Sequence, residues 1–462
     1  MILKKILLRT KRESLRVLQT YSIRISNILY LAGAQAASRI ILCRSVGMLG
    51  DSYKSNFSAL KALIQSYIIR FEKNVNSEVK NKEIYIVCDY LKVGDYESHP
   101  IAYFGVAGYL AKVDLNTDIK FIVSLESKTI SKDFSWDDSN QYIGVVKQRF
   151  LSITDGFNFQ NLSLSVWQNC SIMDLFKSIN LIVSRRPIAV IFFTGKSNES
   201  VLFRFIANQF TKVVCLPTQC NYGYDNQLKI AVSSIPVQNI RINSIDPVDE
   251  KKLVNLRIPR ILKEEINQKK LVRNTIDSRL NYKIVSALTG NRLISIFESY
   301  NINQINFIKK FLEGVNGVWY LIGCDLNTIN PFTRNLLREL VDQKKIIIMP
   351  AINHFSDFLE DAHIYIQPPG ATGGGHGADI ARNLMIPVVC DDRNDAFGLQ
   401  PEGFVAKTDS LLSVLSIAEC LLGSDEARQL YFTQYLRIRN SALEDAERLM
   451  NVLKGDGKVR LP

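Results

Sequence analysis

The residues best placed to do chemistry form a glycine-rich loop between two short apolar runs. The loop lies between Ile364–Ile366 and Pro387–Val389, and its glycines are at 370, 373, 374, 375 and 377. Glycine lets a backbone approach a ligand closely, and a helix that starts behind such a loop presents N–H groups and a positive dipole end to an anion. The pattern therefore predicts a phosphate site formed by Gly374, Gly375, His376 and Gly377.

Alternating strands and helices must position this loop. Segments with strand character are 84–88, 119–125, 142–146, 189–193, 212–216, 293–297, 318–322, 345–349, 364–366 and 387–390. Helix-like segments separate most of them, which is the pattern of parallel sheets covered by helices. We expect an α/β fold with two Rossmann-like domains at 83–245 and 290–430, joined by a charge-rich linker at 246–289 and followed by helices at 431–462.

The amino-acid composition limits the classes of protein to which the chain can belong. A hydrophobic fraction of 47% with 22% charged residues is typical of a globular protein, and no run of 18 apolar residues predicts a transmembrane helix. The eight cysteines form no C-x-x-C pair and the four histidines no H-E-x-x-H motif. We therefore predict reduced thiols in a cytoplasmic protein and no metal site.

The positive charge is concentrated at the start of the chain, in a basic extension that we predict to be helical over residues 1–82. Of the net charge of +12, residues 1–50 carry +8 and the other 412 residues carry +4. On a helical wheel, residues 2–30 separate an apolar face from a basic one. That helix either lies on an anionic membrane surface or packs its apolar face on the protein. It lacks the interleaved aromatic residues of a nucleic-acid platform, so we expect no nucleic-acid partner.

By pattern alone, the loop also matches a dinucleotide fingerprint. Gly373-x-Gly375-x-x-Ala378 fits G-x-G-x-x-G/A, and the acids Asp391 and Asp392 follow at about 20 residues. An NAD(P)-dependent oxidoreductase is therefore an alternative. In a Rossmann domain, however, the fingerprint follows the first strand, and here it follows the fourth predicted strand of its domain.

Six motifs follow one another within residues 290–450. They are Ile294–Phe297 with Glu298–Asn301, Val318–Cys324, Ile347–Ile352 with His354–Leu359, Ala362–Pro368, Met385–Val389, and Glu402–Val405 with Asp409. This order resembles the donor domain of nucleotide-sugar glycosyltransferases with two facing Rossmann-like domains, the GT-B fold. The resemblance implies a nucleoside-diphosphate sugar as donor substrate and no cofactor. It also implies that Ser299 faces the donor phosphates and that Ile352 lies beside the base.

The chain departs from that family at its paired carboxylates. Many retaining members carry acids where this chain has Thr372 and Ile380, and Asp379, one residue away, could hold the donor ribose instead. Gly375–Asp379 is also similar to the histidine-containing donor loop of the O-GlcNAc transferase group. Retaining and inverting chemistry both stay open. Two alternative functions also stay open, namely a sugar-nucleotide epimerase and a catalytically silent scaffold.

An acceptor hydroxyl or amide must lose a proton during glycosyl transfer, and a positioned histidine or carboxylate is the usual base. We expect that base from the first domain, at the carboxyl end of its first strand. The loop Asp89–Pro100 lies there, with His99 as the first candidate and Asp95 as the second. The expected acceptor is a glycan, a lipid-linked glycan or a protein.

Overall fold

The computed structural model describes residues 14, 17–18, 21–26, 28–29, 82–91, 98–131, 136–154, 160–169, 171–194, 200–217, 230–233, 253–255, 281–288, 292–325, 331–352, 355–371, 375–394, 396, 399–438 and 442–455. The predicted residues Asp95 and Gly374 lie outside these ranges, as does most of the predicted linker. None of the helices described is long and apolar enough to cross a membrane.

The first sheet has seven parallel strands in the order β3-β2-β1-β4-β5-β6-β7. Its strands are β1 (Glu83–Cys88), β2 (Asp118–Val123), β3 (Leu162–Val166), β4 (Ala189–Thr194), β5 (Val213–Pro217), β6 (Ile230–Ser233) and β7 (Leu253–Asn255). The helices between them are α1 (Ser98–Val113), α2 (Glu126–Ser131), α3 (Trp136–Thr154), α4 (Ile172–Ser184) and α5 (Val201–Phe210). Every residue of β1 is buried, as expected for a central strand covered on both faces.

The second sheet has five parallel strands in the order β10-β9-β8-β11-β12. Its strands are β8 (Tyr282–Ala287), β9 (Gly317–Ile322), β10 (Ile346–Met349), β11 (Ile364–Ile366) and β12 (Val388–Val389). Its helices are α6 (Arg292–Ser299), α7 (Ile302–Gly314), α8 (Pro331–Asp342), α9 (Phe355–Leu359), α10 (Gly375–Asn383), α11 (Leu411–Gly423) and α12 (Asp425–Ile438), with a 3₁₀ turn at Glu402–Phe404. Two parallel sheets covered by helices confirm the predicted α/β fold class.

The last helix, α13 (Ala442–Lys454), returns to the first sheet rather than staying with the second. Its apolar side chains join the core beneath α1, through Ala446, Leu449, Met450 and Leu453. An ion pair between Lys454 and Asp114 fastens the end of the helix. The first domain is thus completed by a segment more than 300 positions along the chain from α1.

The structure differs from the sequence prediction in several segments, and β3 and β6 are strands that the prediction did not contain. The predicted linker 246–289 contributes β7 to the first sheet and β8 to the second. The predicted strand 142–146 lies inside α3, and the predicted strand 293–297 lies inside α6. In α6 the buried side chains are Leu293, Ile294 and Phe297, a helical spacing that a short apolar run does not distinguish from a strand.

Candidate functional site

The glycine loop lies where the order of the second sheet reverses. Along the chain, β9 and β10 add to one side of β8, and β11 then pairs with its other side. The loop follows β11 and leads into α10, so it stands at the carboxyl end of the sheet beside the connection that leaves β8. Ligands of open α/β sheets bind in the crevice at such a reversal. The topology therefore puts the predicted phosphate loop at the expected binding position of this sheet.

A tight turn opens the loop. The Ala371 N–H donates to the Pro368 carbonyl at 3.1 Å, and Gly370 has a φ of +84°. Pro369 precedes it, so the turn has the residues and the positive φ of type II. The side-chain amide of Asn394, itself buried, donates to the Ala371 carbonyl at 3.2 Å. The path of the chain into the glycines is thereby held by its own turn and by the segment after β12.

Gly377 allows α10 to approach β11 closely. A Cβ at this position would lie 2.7 Å from the hydroxyl oxygen of Tyr365, a distance that real Cβ atoms essentially never show. Tyr365 is fully buried, and its hydroxyl donates to the Ala287 carbonyl at the end of β8, at 3.1 Å. The first turn of α10 therefore packs against the Tyr365 side chain, whose hydroxyl joins β11 to the end of β8.

Three of the predicted phosphate contacts lie together in the first turn of α10. Gly375 is its first residue and is buried, while His376 and Gly377 are half-buried. The N–H groups of a first turn have no acceptor within their own helix, and they carry the positive end of the helix dipole. Such a turn can bind an anion chemically, and the close packing through Gly377 keeps it in place.

Asp379 is on the same helix but has a buried partner. Its carboxylate lies 3.8 Å from the guanidinium of Arg382, which is only 1% exposed. Arg382 also donates to the Ala396 carbonyl at 2.8 Å and to the Gln400 amide oxygen at 2.9 Å. The pair joins α10 to the segment that follows β12. A direct contact between Asp379 and a donor ribose stays a prediction.

Arg292 is a charged residue of this region that the sequence analysis did not single out. It is the first residue of α6, directly after the connection that leaves β8. The pKa of the Tyr365 hydroxyl is raised, mainly by burial and further by the Asp379 carboxylate, while the Ala287 hydrogen bond and the charges of Arg292 and Arg382 oppose the rise. By topology Arg292 therefore lies at the same end of the sheet as the glycine loop. Recognising Tyr282–Ala287 as the first strand of the sheet would have pointed to it.

The structure removes the basis for placing Ser299 at the donor phosphates. That placement assumed a strand at 293–297, but Ser299 ends α6, and its hydroxyl donates to the Ile296 carbonyl at 2.6 Å. The residue after next, Asn301, caps α7. Ile352, in contrast, lies just past β10 and packs against the apolar cluster that contains Tyr365. It therefore lines the same end of the sheet as the glycine loop.

The predicted base lies at the carboxyl end of β1. His99 is in the first turn of α1, and its side chain lies outside the described set. The loop before it is held at Leu91, whose N–H and carbonyl both bind the Tyr142 hydroxyl at 2.9 Å. Asp89 is buried, and its carboxylate accepts the Ser127 N–H at 2.9 Å, so it has a structural role at the start of α2.

The dinucleotide alternative is not supported by the position of its fingerprint or by Asp391, the first of its two acids. The fingerprint follows β11, the fourth strand of its sheet along the chain. Asp391 is 1% exposed and accepts the N–H groups of Arg393 and Asp409 at 3.3 and 3.2 Å. A carboxylate used in this way is not presented to a ribose. Among the described residues, no three His, Cys, Asp or Glu side chains are grouped as metal ligands.

No protein-family model and no curated protein matches the chain in sequence. Similar solved structures include a glycosyltransferase from Rickettsia africae, with 13% identity and a TM-score of 0.51 over 81% of this chain and 98% of that one. TarM from S. aureus has 8% identity and a TM-score of 0.52 over 81% and 100%. HepE from Anabaena has 10% identity and a TM-score of 0.50 over 80% and 99%. The chain therefore has the GT-B fold of two Rossmann-like domains.

Proposed function

We propose that this chain is a glycosyltransferase that moves a sugar from a nucleoside-diphosphate sugar to a glycan, a lipid-linked glycan or a protein. One observation carries the proposal: a glycine loop and the first turn of α10 stand at the strand-order reversal of the second sheet. Structures of the same fold supply the first donor to try, since HepE was solved with UDP and glucose and TarM with UDP.

The donor end of the reaction needs positive groups where the leaving nucleoside diphosphate gains charge. Fixed N–H dipoles stabilise that charge without a cost of reorganisation. In this proposal the N–H groups of Gly375, His376 and Gly377 contact the diphosphate, with Gly374 completing the loop. Arg292 supplies the full positive charge from the start of α6. Ile352 forms an apolar wall for the base.

The acceptor end of the reaction belongs to the first sheet. A hydroxyl that attacks the anomeric carbon must lose its proton, and a histidine titrates in the useful range. We assign that role to His99, with Asp95 as the second candidate. We place the transfer in polysaccharide assembly at the cytoplasmic face of a membrane, because residues 1–50 carry a net charge of +8.

One observation favours a second function, a catalytically silent scaffold of the same fold. Ile380, at the position where many retaining relatives carry a glutamate, is half-buried and packs against the cluster around Tyr365. An apolar residue there cannot hold a ribose by hydrogen bonds. A scaffold would bind the nucleotide without consuming the sugar donor, so binding and turnover must be measured separately.

Turnover is the test that separates these functions. Purified protein is incubated with UDP-glucose and UDP-N-acetylglucosamine, with and without glycan or lipid-linked acceptors, and released UDP is measured. We expect UDP release from the wild type and its loss in Gly375→Val, which puts a branched side chain at the first N–H of α10. Gly144→Val in α3, where an added Cβ meets nothing within 4 Å, is the matched control and should keep the activity. If the protein binds UDP but releases no UDP from the sugar donor, it is the scaffold instead.

A further inference from the structure

The helical residues before the first sheet expose an apolar stripe. Leu18, Tyr21, Ile25 and Ile28 are 64%, 60%, 49% and 65% exposed. Their spacing of three and four residues puts them on one face of a helix. Large apolar side chains that are exposed singly are common, but a contiguous stripe of them marks an interaction surface.

The buried residues of the same helix lie on its other side. Ile23 and Ser26 are both fully buried, whereas the neighbouring Arg24 is exposed. From the sequence, the apolar face either packs on the protein or lies on a membrane. Among the described residues of this helix, Ile23 and Ser26 are buried, and the apolar face is exposed. The first of these two alternatives therefore does not hold for this stretch.

Charge decides which partner suits the stripe. The first 50 residues carry a net charge of +8, and Arg24 borders the stripe itself. A second copy of the chain would bring two such basic ends together, and like charges repel. An anionic lipid surface attracts them, and its headgroup boundary accepts an apolar stripe that lies in the plane of the membrane.

We propose that Leu18, Tyr21, Ile25 and Ile28 insert into the headgroup boundary of an anionic membrane, while Ile23 and Ser26 keep the helix attached to the protein. The tyrosine has an apolar ring and a polar hydroxyl, which suits the level of the headgroups. The proposal concerns a surface remote in sequence from the glycine loop and does not depend on glycosyl transfer.

Vesicle flotation tests the proposal with the full chain. Wild type should float with vesicles of phosphatidylcholine and phosphatidylglycerol, and should float less with phosphatidylcholine alone or at high salt. We expect the double variant Leu18→Asp, Ile28→Asp to partition about a hundredfold more weakly, because two inserted side chains are lost. Leu151→Asp, on α3 at an equally exposed 63%, is the matched control and should float as the wild type does.

A second measurement reports insertion directly. Tryptophan at position 21 (Tyr21→Trp) should gain fluorescence that brominated lipids quench, above the signal of the three native tryptophans. Equal flotation of the double variant and the wild type, or absence of that quenching, would overturn the proposal. So would a change in the sedimentation coefficient of the double variant without lipid, since that result assigns the stripe to a second copy. The thermal shift that a sugar nucleotide causes, recorded without lipid, tests nucleotide binding independently of membrane binding. The two proposals can therefore fail separately.

Discussion

The Tyr365 hydroxyl occupies the space that a side chain at position 377 would need, and it is fixed there by its hydrogen bond to Ala287. Gly377→Ala should therefore force α10 away from β11. We expect the free energy of unfolding to fall by about 1–3 kcal/mol, the usual cost of overpacking. Urea denaturation measures it.

The paired change locates the cause of that loss. In the double variant Gly377→Ala, Tyr365→Phe, the clashing oxygen is absent, so the combined cost should be smaller than the sum of the two single costs. Gly144→Ala, an open helical position, should be neutral or stabilising by up to about 1 kcal/mol. Strictly additive costs would show that the contact between Gly377 and Tyr365 is not the reason for the glycine.

His363 makes stability depend on pH at the point where β8 and β11 begin. Its Nδ1 accepts the Lys283 N–H at 3.0 Å, so this nitrogen must be unprotonated. Burial lowers the pKa of His363; the Asp361 carboxylate raises it, and Arg428 and Lys283 lower it again. The unfolded chain therefore takes up the proton first as the pH falls below about 6.5, and folding stability declines from there toward the folded pKa. Above that window the contribution is complete.

The pH effect is measured by comparing wild type with His363→Asn, which retains a side-chain acceptor and cannot be protonated. Urea denaturation between pH 7.5 and the acid range, in steps of about half a unit, should show a steeper decline for the wild type. Identical slopes in the two proteins would exclude His363 as the titrating group.

Single residues also show what a sequence can reveal about a site. The glycine loop is recognisable because the positive φ of Gly370 and the tight turn at Pro368–Ala371 depend on local chemistry. Arg292 was missed because its importance comes from β8, with which it shares no local pattern. Asp379 was recognised as an acid near the loop, but its partnership with Arg382 depends on burial that side-chain type alone does not reveal.

At the scale of elements, one buried cation holds the loop helix to the rest of the second domain. Arg382 on α10 donates to Ala396 and Gln400, and Gln400 in turn donates to the carbonyl of Val388 in β12 at 2.9 Å. Tyr431 of α12 also binds Val388, through its hydroxyl at 3.1 Å. The helix behind the glycine loop is thus attached to β12 and α12 by one hydrogen-bonded network.

Arg382→Met should break this network and remove the cation beside the buried Asp379 carboxylate. Removing one member of a buried ion pair typically costs about 3–5 kcal/mol, and we expect unfolding to become easier by that amount. Arg382→Lys should recover only part of it, because an ammonium group cannot reproduce the planar fork of donors. Full recovery by lysine, measured by thermal denaturation, would contradict the assignment of the Ala396 and Gln400 contacts to the guanidinium.

Strands with a nearly continuous apolar run were predictable, even short ones such as β11, whereas β3 and β8, in which polar residues interrupt the run, were not. Strands β1, β2, β4, β5, β9, β10 and β11 were each predicted within a few residues of their bounds. β8 was not predicted, because its sequence mixes Lys283 and Ser286 with apolar residues inside a charge-rich stretch. Without β8, the sequence predicts the opening strand at 293–297, although the buried residues there have helical spacing. Such cases are decided by which strands pair with one another, and the local sequence does not encode that pairing.

At the scale of the whole molecule, the chain returns to its first domain at the end. Leu449 of α13 is fully buried in the core of the first sheet. Leu449→Ala should destabilise that domain by about 2–5 kcal/mol. In calorimetry, Leu449→Ala should lower the midpoint temperature of one unfolding transition, and a sugar nucleotide should raise that of another. The two transitions should differ because the glycine loop belongs to the second sheet. A single transition that both changes move equally would show that the two domains unfold as one unit.

This return could not be predicted from the sequence. The helices at 431–462 were expected, and the amphipathic pattern of α13 indicates that its apolar face packs against a hydrophobic core. Which core it joins depends on the route of the chain between the two sheets. The two sheets themselves follow from the alternation of strands and helices, which the sequence does contain.

We propose above all that the loop at 370–377 binds the diphosphate of a sugar nucleotide. The most direct test is a thermal-shift series with UDP-, GDP-, ADP- and CMP-sugars and with NAD(P) on wild type, Gly375→Val and Gly144→Val. A ligand at 100 times its Kd should add about 2.7 kcal/mol to stability. We predict a shift with one nucleotide-sugar class, retained in Gly144→Val and lost in Gly375→Val. A shift with NAD(P) alone, or an equal shift in Gly375→Val, would contradict the account.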